Sequence, residues 1–355
     1  MQISHYYNIH DVLQMKIQRQ RRFPDLFRDI NLRFSYFEVD HADNPSLIIN
    51  IGKFKPQMPE CKFVDHQYHV GDGYFYCRDK EKIAKWEFEI SGIEDEVTTL
   101  NFDGSILGLH EIVYPHIFAQ NMIGRFLIQY KLGLKNYFMI HAASVVKDGN
   151  AFVFAGRGGA NKTSIIMDLV RNYDFTFQGD DWIVFKDNSI YSFPAHFQEF
   201  NFRANVLPSE HLRGNLDRFR LFQYLRRPFD YQNSGVKVQK DGKLKTLNIL
   251  LKTNNEKLKI KKNVDKELIR NMLYYNNRIE NNGTSLSMGL ELKGISRYLL
   301  GYSFINPKNA FQRYWKDFHI AIERLLADVS CNIIEVPDKY DKSVTKEICS
   351  LFLDD

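Results

Sequence analysis

AFVFAGRGGANKTS, Ala151 to Ser164, is a short apolar run that ends in a glycine-rich turn, followed by a lysine, a hydroxyl and a helical pattern. That order is what a phosphate-binding loop requires. The strand delivers the turn, glycines let backbone N–H groups approach phosphate oxygens, and the helix start adds its positive dipole end. Lys162 has the reach for β- and γ-phosphates, and Thr163 has the hydroxyl for Mg²⁺. The usual G-x-x-x-x-G-K-[ST] pattern has glycine before the lysine, where this chain has Asn161. Asparagine is the non-glycine residue most tolerant of left-handed backbone, so the turn can survive the exchange, its side chain then either crowding the site or offering an amide to a phosphate.

Upstream, YFMIHAASVV and AFVFAG are joined by KDGN, and an Asp-Gly between two such runs signals a β-hairpin. Downstream, Thr163 to Asn172 reads as a helix with Ile165, Ile166, Leu169 and Val170 on its apolar side. FTFQ then reads as a strand leading to Gly179-Asp180-Asp181, and WIVFKDNSIYSF as a further hairpin. TLNILLK suits a buried strand, KELIRNMLYY a helix, Asn309 to Asp328 a long helix, NIIEVP a strand and VTKEICSLFL a last helix. Asp180-Asp181 falls where a nucleotide-binding sheet places carboxylates. Phosphoryl transfer needs one carboxylate to hold Mg²⁺, directly or through water, and often another to take the acceptor's hydroxyl proton.

The run HAASVVKDGNAFVFAGRGGANKTSIIMDLVRNYDFTFQGDDWIVF resembles the catalytic core of the HPr kinase/phosphorylase-like P-loop proteins, a group related to phosphoenolpyruvate carboxykinase. The close likeness covers roughly residues 140 to 185, and a weaker one continues through CNIIEVPDKY to the C-terminus. The resemblance implies an α/β (α+β) fold with a mixed-sheet P-loop core, ATP and Mg²⁺ as cofactors, and these roles. Gly156, Gly158, Gly159, Ala160, Asn161, Lys162, Thr163 and Ser164 form the nucleotide site. Asp180 matches the base that deprotonates a serine hydroxyl, and Asp181 and Thr163 lie near the metal. His141 matches the strand histidine beside the phosphates, or packs in the core. The family's further metal-binding Glu and its Arg correspond in order to Glu199 and Arg203, although the Glu-Leu-Arg-Gly-type signature is not present and a surface-charge role stays open.

The front of the chain reads differently. Residues 1–30 suggest an arm or single helix. Residues 31–110 alternate in short aromatic and β-branched runs (SLIINIG, YFYCRD, KWEFEIS, TTLNFDG) broken by HADNP, VGDG and FDGS, which reads as a smaller β-rich domain. Residues 111–136 lengthen in period toward a bridging helix, with the P-loop domain over 137–355.

Composition narrows the class further. With 44% apolar and 26% charged residues, the chain reads as an ordinary globular protein, and a net charge of +5 gives no reason to expect nucleic acid as a partner. Arg203 to Lys262 carries 15 Lys and Arg against 5 Asp and Glu, either a solvated face or a surface for an acidic or phosphorylated ligand. The four cysteines form no CxxC pair, and the first 22 residues have no apolar signal core. A cytoplasmic protein with no membrane span is the expectation. The expected function is Mg²⁺-dependent transfer of the γ-phosphate of ATP to a hydroxyl of a peptide, protein or small molecule. Phosphorylase or carboxykinase-like chemistry and non-catalytic nucleotide sensing are the alternatives. The acceptor, and whether the chain forms a homo-oligomer, are not written in the sequence.

Overall fold

A computed structural model describes residues 2–20, 34–81, 84–106, 109–110, 124–195, 197–205, 215–225, 234–286, 290–338 and 342–353. The chain is α+β, with two large mixed sheets and helices, and it divides into two compact units. The first holds residues 1–136 and 278–318, the second 137–277 and 319–355.

In the first unit, β1 (Gln2–Ile9), β2 (Leu13–Gln20), β3 (Glu38–Val39), β4 (Leu47–Ile51), β5 (Lys62–Val64), β6 (Tyr68–Gly71), β7 (Tyr74–Glu81), β8 (Ala84–Ser91), β9 (Thr98–Ile106) and β10 (Leu109–His110) form one sheet. Its order is β3-β1-β2-β4-β9-β8-β7-β6-β5, with β10 paired to β9. The β2–β4 and β4–β9 pairs are parallel. The first residues are therefore a hairpin and not an arm or helix. Tyr7 and Ile9 on β1, and Leu13, Met15 and Ile17 on β2, recur at every second position within each strand and are buried, a strand period that the polar residues between them obscure. Helix α1 (Arg125–Gly133) follows, with Phe126, Leu127 and Tyr130 buried. The rest of the expected bridging helix, 111–123, lies outside the described residues.

The second unit begins with β11 (Phe138–Ile140), β12 (Ala142–Lys147), β13 (Asn150–Gly156) and α2 (Lys162–Asn172). It continues through β14 (Thr176–Gly179), β15 (Ile183–Lys186), β16 (Ser189–Tyr191), α3 (Phe197–Asn205), α4 (Asn215–Leu225), β17 (Asp241–Thr253), β18 (Lys259–Lys261) and α5 (Lys266–Asn282). Between β12 and β13, Asp148 (φ 50°) and Gly149 (φ 75°) are both left-handed, as a two-residue hairpin turn matched to strand twist requires.

The chain then returns to the first unit with β19 (Gly283–Leu286), β20 (Leu290–Lys293), α6 (Ile295–Ile305) and the first half of α7 (Ala310–Leu325). Residues 278–318 thus depart from the expected continuous domain 137–355. Their aromatic residues account for this. Tyr298 OH accepts from Trp86 Nε1 (3.1 Å) and donates to Asp79 Oδ2 (3.0 Å). Phe311, Tyr314 and Trp315 pack on Phe126 of α1. The chain closes in the second unit with β21 (Ser330–Pro337) and α8 (Lys342–Leu353).

The second unit's sheet runs β11-β15-β16-β17-β13-β12-β14, with β21 parallel to β17 and β18 beside β21. β13 and β17 are parallel, whereas β12 is antiparallel to both β13 and β14. Every residue of β13 after Asn150 is buried. Phe152 and Phe154 join Ile165 and Leu169 of α2, Phe177 of β14, Phe200 of α3, and Val344 and Ile348 of α8 in one apolar cluster. Among the described residues no helix is long and apolar enough to cross a membrane.

Candidate active site

Register brings the site together. Ala142 opposes Ala155 and Ser144 opposes Gly179, so the start of β12 and the ends of β13 and β14 share one sheet edge. His141, the loop after Gly156 and Asp180 all emerge there. The strand carrying the aspartates is not the direct neighbour of β13, since β12 lies between them. Both β13 and β14 are antiparallel to β12, which keeps their ends on the same side.

The loop itself is held tightly beneath and open above. A Cβ on Gly156 would stand 2.6 Å from Leu250 O, closer than any side chain can go, so only glycine lets β13 run against β17 there. Gly158 and Gly159 are exposed, and a Cβ on either would meet nothing within 4 Å. Gly159 has φ 84°, and Ala160 N–H donates to Arg157 O (3.1 Å), closing the turn. Asn161 has φ 62° and ψ 20°, the left-handed conformation, and its carbonyl accepts the first helical bond from Ile165 N–H (3.0 Å). The glycine-to-asparagine exchange thus leaves a left-handed corner filled by the side chain best able to occupy it. The Asn161 side-chain Nδ2 is buried without a hydrogen-bond partner.

Lys162 starts α2, is buried, and donates from Nζ to Gly156 O (2.9 Å) and Arg157 O (3.4 Å). Thr163 Oγ1 donates to Asp180 Oδ2 (2.8 Å), and Asp181 N–H donates to Asp180 Oδ1 (3.0 Å). The carboxyl of Asp180 is packed among protein atoms although the residue keeps part of its surface. Burial and the neighbouring Asp181 carboxylate push its pKa up to about 7, against the Thr163 bond and the Lys162 charge, which pull it down. Asp181 is left-handed (φ 68°) and half exposed, with Oδ1 3.8 Å from the buried His141 Nε2. The His141 ring packs on Trp182, centroids 5.5 Å apart. The structure therefore gathers His141, Gly156 to Ser164, Asp180 and Asp181.

Among the described residues no hydrogen bond or ion pair joins Glu199 to them. Glu199 lies on α3, where its carboxylate pairs with Arg203 one turn on. The Arg203 and Ala204 carbonyls accept from Arg171 Nη2 and Nε (2.6 Å each) at the far end of α2. Helical spacing, not site geometry, pairs these two residues. Among the described residues no three His, Cys, Asp or Glu side chains are grouped to hold a metal ion. Of the basic segment, Arg213, Arg226 and Arg227 lie outside the described residues, while Lys252 and Lys261 pair with Asp338 and Glu335.

Two site residues escaped the sequence reading. Asn276 Nδ2 donates to His141 O (2.9 Å), and its own carbonyl and Oδ1 accept from Arg157 Nη1 (3.3 Å each). Asn277 accepts His141 N–H at Oδ1 (2.8 Å) and donates to Met139 O (2.6 Å). These amides tie α5 to the histidine strand and to the loop. The signal was the run Ile269, Leu273, Asn276, Asn277: two amides continuing a helix's apolar stripe, where a polar group must find partners. Neither a family model nor a curated protein sequence matches the chain.

Proposed function

We propose that the chain is a P-loop kinase of the HPr kinase-like, phosphoenolpyruvate carboxykinase-related type, transferring the γ-phosphate of ATP to a hydroxyl. The observation that carries this reading is the Thr163–Asp180 hydrogen bond, which joins the start of the loop helix to a carboxyl whose pKa lies near neutrality. A base must be largely ionised yet still able to hold a proton, and a pKa near the working pH meets both needs.

The residues present fit a nucleotide. The open face over Gly158 and Gly159 admits phosphate oxygens to the backbone, and the α2 start faces them with its dipole. Lys162 would exchange its two carbonyl partners for phosphate oxygens. Thr163 and Asp181 would hold Mg²⁺, which supplies charge neutralisation on the phosphates when bound. Thr163 can keep its proton on Asp180 while its lone pairs serve as ligand. Asp180 would take the acceptor's proton at a carboxylate oxygen. His141, fixed at its backbone by Asn276 and Asn277, would orient Asp181.

The Glu199–Arg203 pairing on α3 favours a second reading, a protein that binds nucleotide without transferring phosphate, since the family's further metal ligand is then not supplied. Incubation with γ-labelled ATP, Mg²⁺ and candidate peptides or a lysate separates the two. Label passing to an acceptor, lost in Asp180→Asn, supports the kinase. Nucleotide binding with no label transferred supports the second reading.

A further inference from the structure

The first unit's sheet carries one polar row across five strands. Ser4, Gln18, Asn50, Asn101 and Glu89 are direct cross-strand neighbours on β1, β2, β4, β9 and β8. The row one residue along, Ile17, Ile49, Leu100 and Ile90, is buried in the core. Side chains alternate between faces, so the polar row stands on the opposite one.

Hydrogen bonds link this row in two pieces. Gln18 Nε2 donates to Ser4 Oγ (3.3 Å), and Gln18 Oε1 accepts from Gln2 Nε2 (3.2 Å). Asn50 Nδ2 donates to Asn101 Oδ1 (2.7 Å), and Asn101 Nδ2 donates to Glu89 Oε1 (2.6 Å). Between Gln18 and Asn50 the chain of bonds breaks, and the buried Asn50 Oδ1 has no hydrogen-bond partner. A cleft of about 250 Å³ lies over this break, lined by Gln18, Asn50, Asn101, Arg19, Lys53 and Phe54.

We propose that this cleft binds a small hydroxyl-rich acid, of the sugar-acid or sugar-phosphate class. Neighbouring carboxamides present donors and acceptors side by side, the pattern that vicinal hydroxyls match. Gln18 and Asn101 each spend one N–H and one oxygen lone pair on their neighbours, so each keeps a second N–H and a second lone pair with which to meet a ligand's hydroxyls without breaking the row. Arg19 and Lys53 give the rim the positive charge that an acid group complements, and Phe54 supplies an apolar wall for the ring's C–H face. The volume suits one sugar ring. The site lies wholly in the first unit and is independent of the phosphate loop.

Titration calorimetry on the full chain tests this with glucose 6-phosphate, glucuronate, glucose and inorganic phosphate as probes. Both acids bind, glucose binds more weakly and inorganic phosphate more weakly still. Asn50→Leu weakens all three sugars about tenfold. Lys53→Ala, at an exposed position, weakens the acids but not glucose. Lys162→Ala leaves these affinities unchanged, which separates the cleft from the phosphate loop. Binding of no sugar at millimolar concentration overturns the proposal. So does inorganic phosphate binding as tightly as glucose 6-phosphate, or unaltered sugar affinity in folded Asn50→Leu.

Discussion

The two sheets solve the same burial problem differently, and their chemistry sits in different places as a result. β13 is buried on both faces and reads as an unbroken apolar run, Ala151 to Ala155. A polar side chain inside such a sheet is spent on an internal partner, as Asn248 of β17 is on Val153 O, so the groups open to a ligand collect at the strand's end, where Gly156 hands over to the loop. β4 in the first unit alternates buried and half-buried residues, LIINI, with Asn50 on the half-buried face. There the polar groups form a row across the sheet. A sheet covered on both faces works at its edge, and one with a half-buried polar face can work on that face.

The largest effect expected at the strand end is on transfer. Asp180→Asn keeps the shape but removes the base, and phosphoryl transfer should fall by about 10²–10⁴-fold while nucleotide still binds. Lys162→Ala should abolish nucleotide-induced stabilisation. For the natural protein this amounts to about 2.7 kcal/mol at a ligand concentration of about 100 Kd, read as a rise in Tm.

A smaller effect concerns the corner itself. Asn161→Val places a β-branched residue at φ 62° and should cost about 1–2 kcal/mol, read by denaturant unfolding. Asn161→Gly should change stability by less than about 1 kcal/mol, because glycine accepts the same conformation. Equal losses in the two variants would remove the left-handed corner from the account.

The pH dependence of stability sharpens the comparison from another side. The folded pKa of Asp180, about 7, lies above its ordinary value of 3.8, so between those values the folded state holds more proton than the unfolded. Stability contributed at this site therefore falls as pH rises from about 4 to about 7, and above that the ionised carboxylate is a full liability. Asp180→Asn should raise Tm relative to the natural protein above pH 7, and the difference should shrink toward pH 4. Transfer should show the opposite trend, rising through neutral pH as the base ionises.

How much of this was legible in the sequence follows from how local the signals are. The Asp148-Gly149 turn, the loop from Gly156 to Ser164 and the strand that ends just before Asp180 are each encoded within a few residues, and the structure has them where the spacing puts them. The return of residues 278–318 to the first unit was not legible. It rests on partners such as Tyr298 and Trp86, which lie 212 residues apart. Asn276 and Asn277 were equally hidden, since nothing near them in sequence names His141 or Arg157 as partners. Glu199 and Arg203 were found in the right chain order, but order does not bring a carboxylate to Thr163. The polar row was hidden because its members stand on five strands, and each alone reads as an ordinary exposed amide or acid.

Transfer from γ-labelled ATP with Mg²⁺, measured side by side for the natural chain and Asp180→Asn, decides whether the Asp180 carboxylate is the base. Labelled acceptor is expected with the natural chain, a loss of about 10²–10⁴-fold in the variant, and nucleotide binding in both. Equal transfer by the two proteins, or no nucleotide binding by either, would contradict that role.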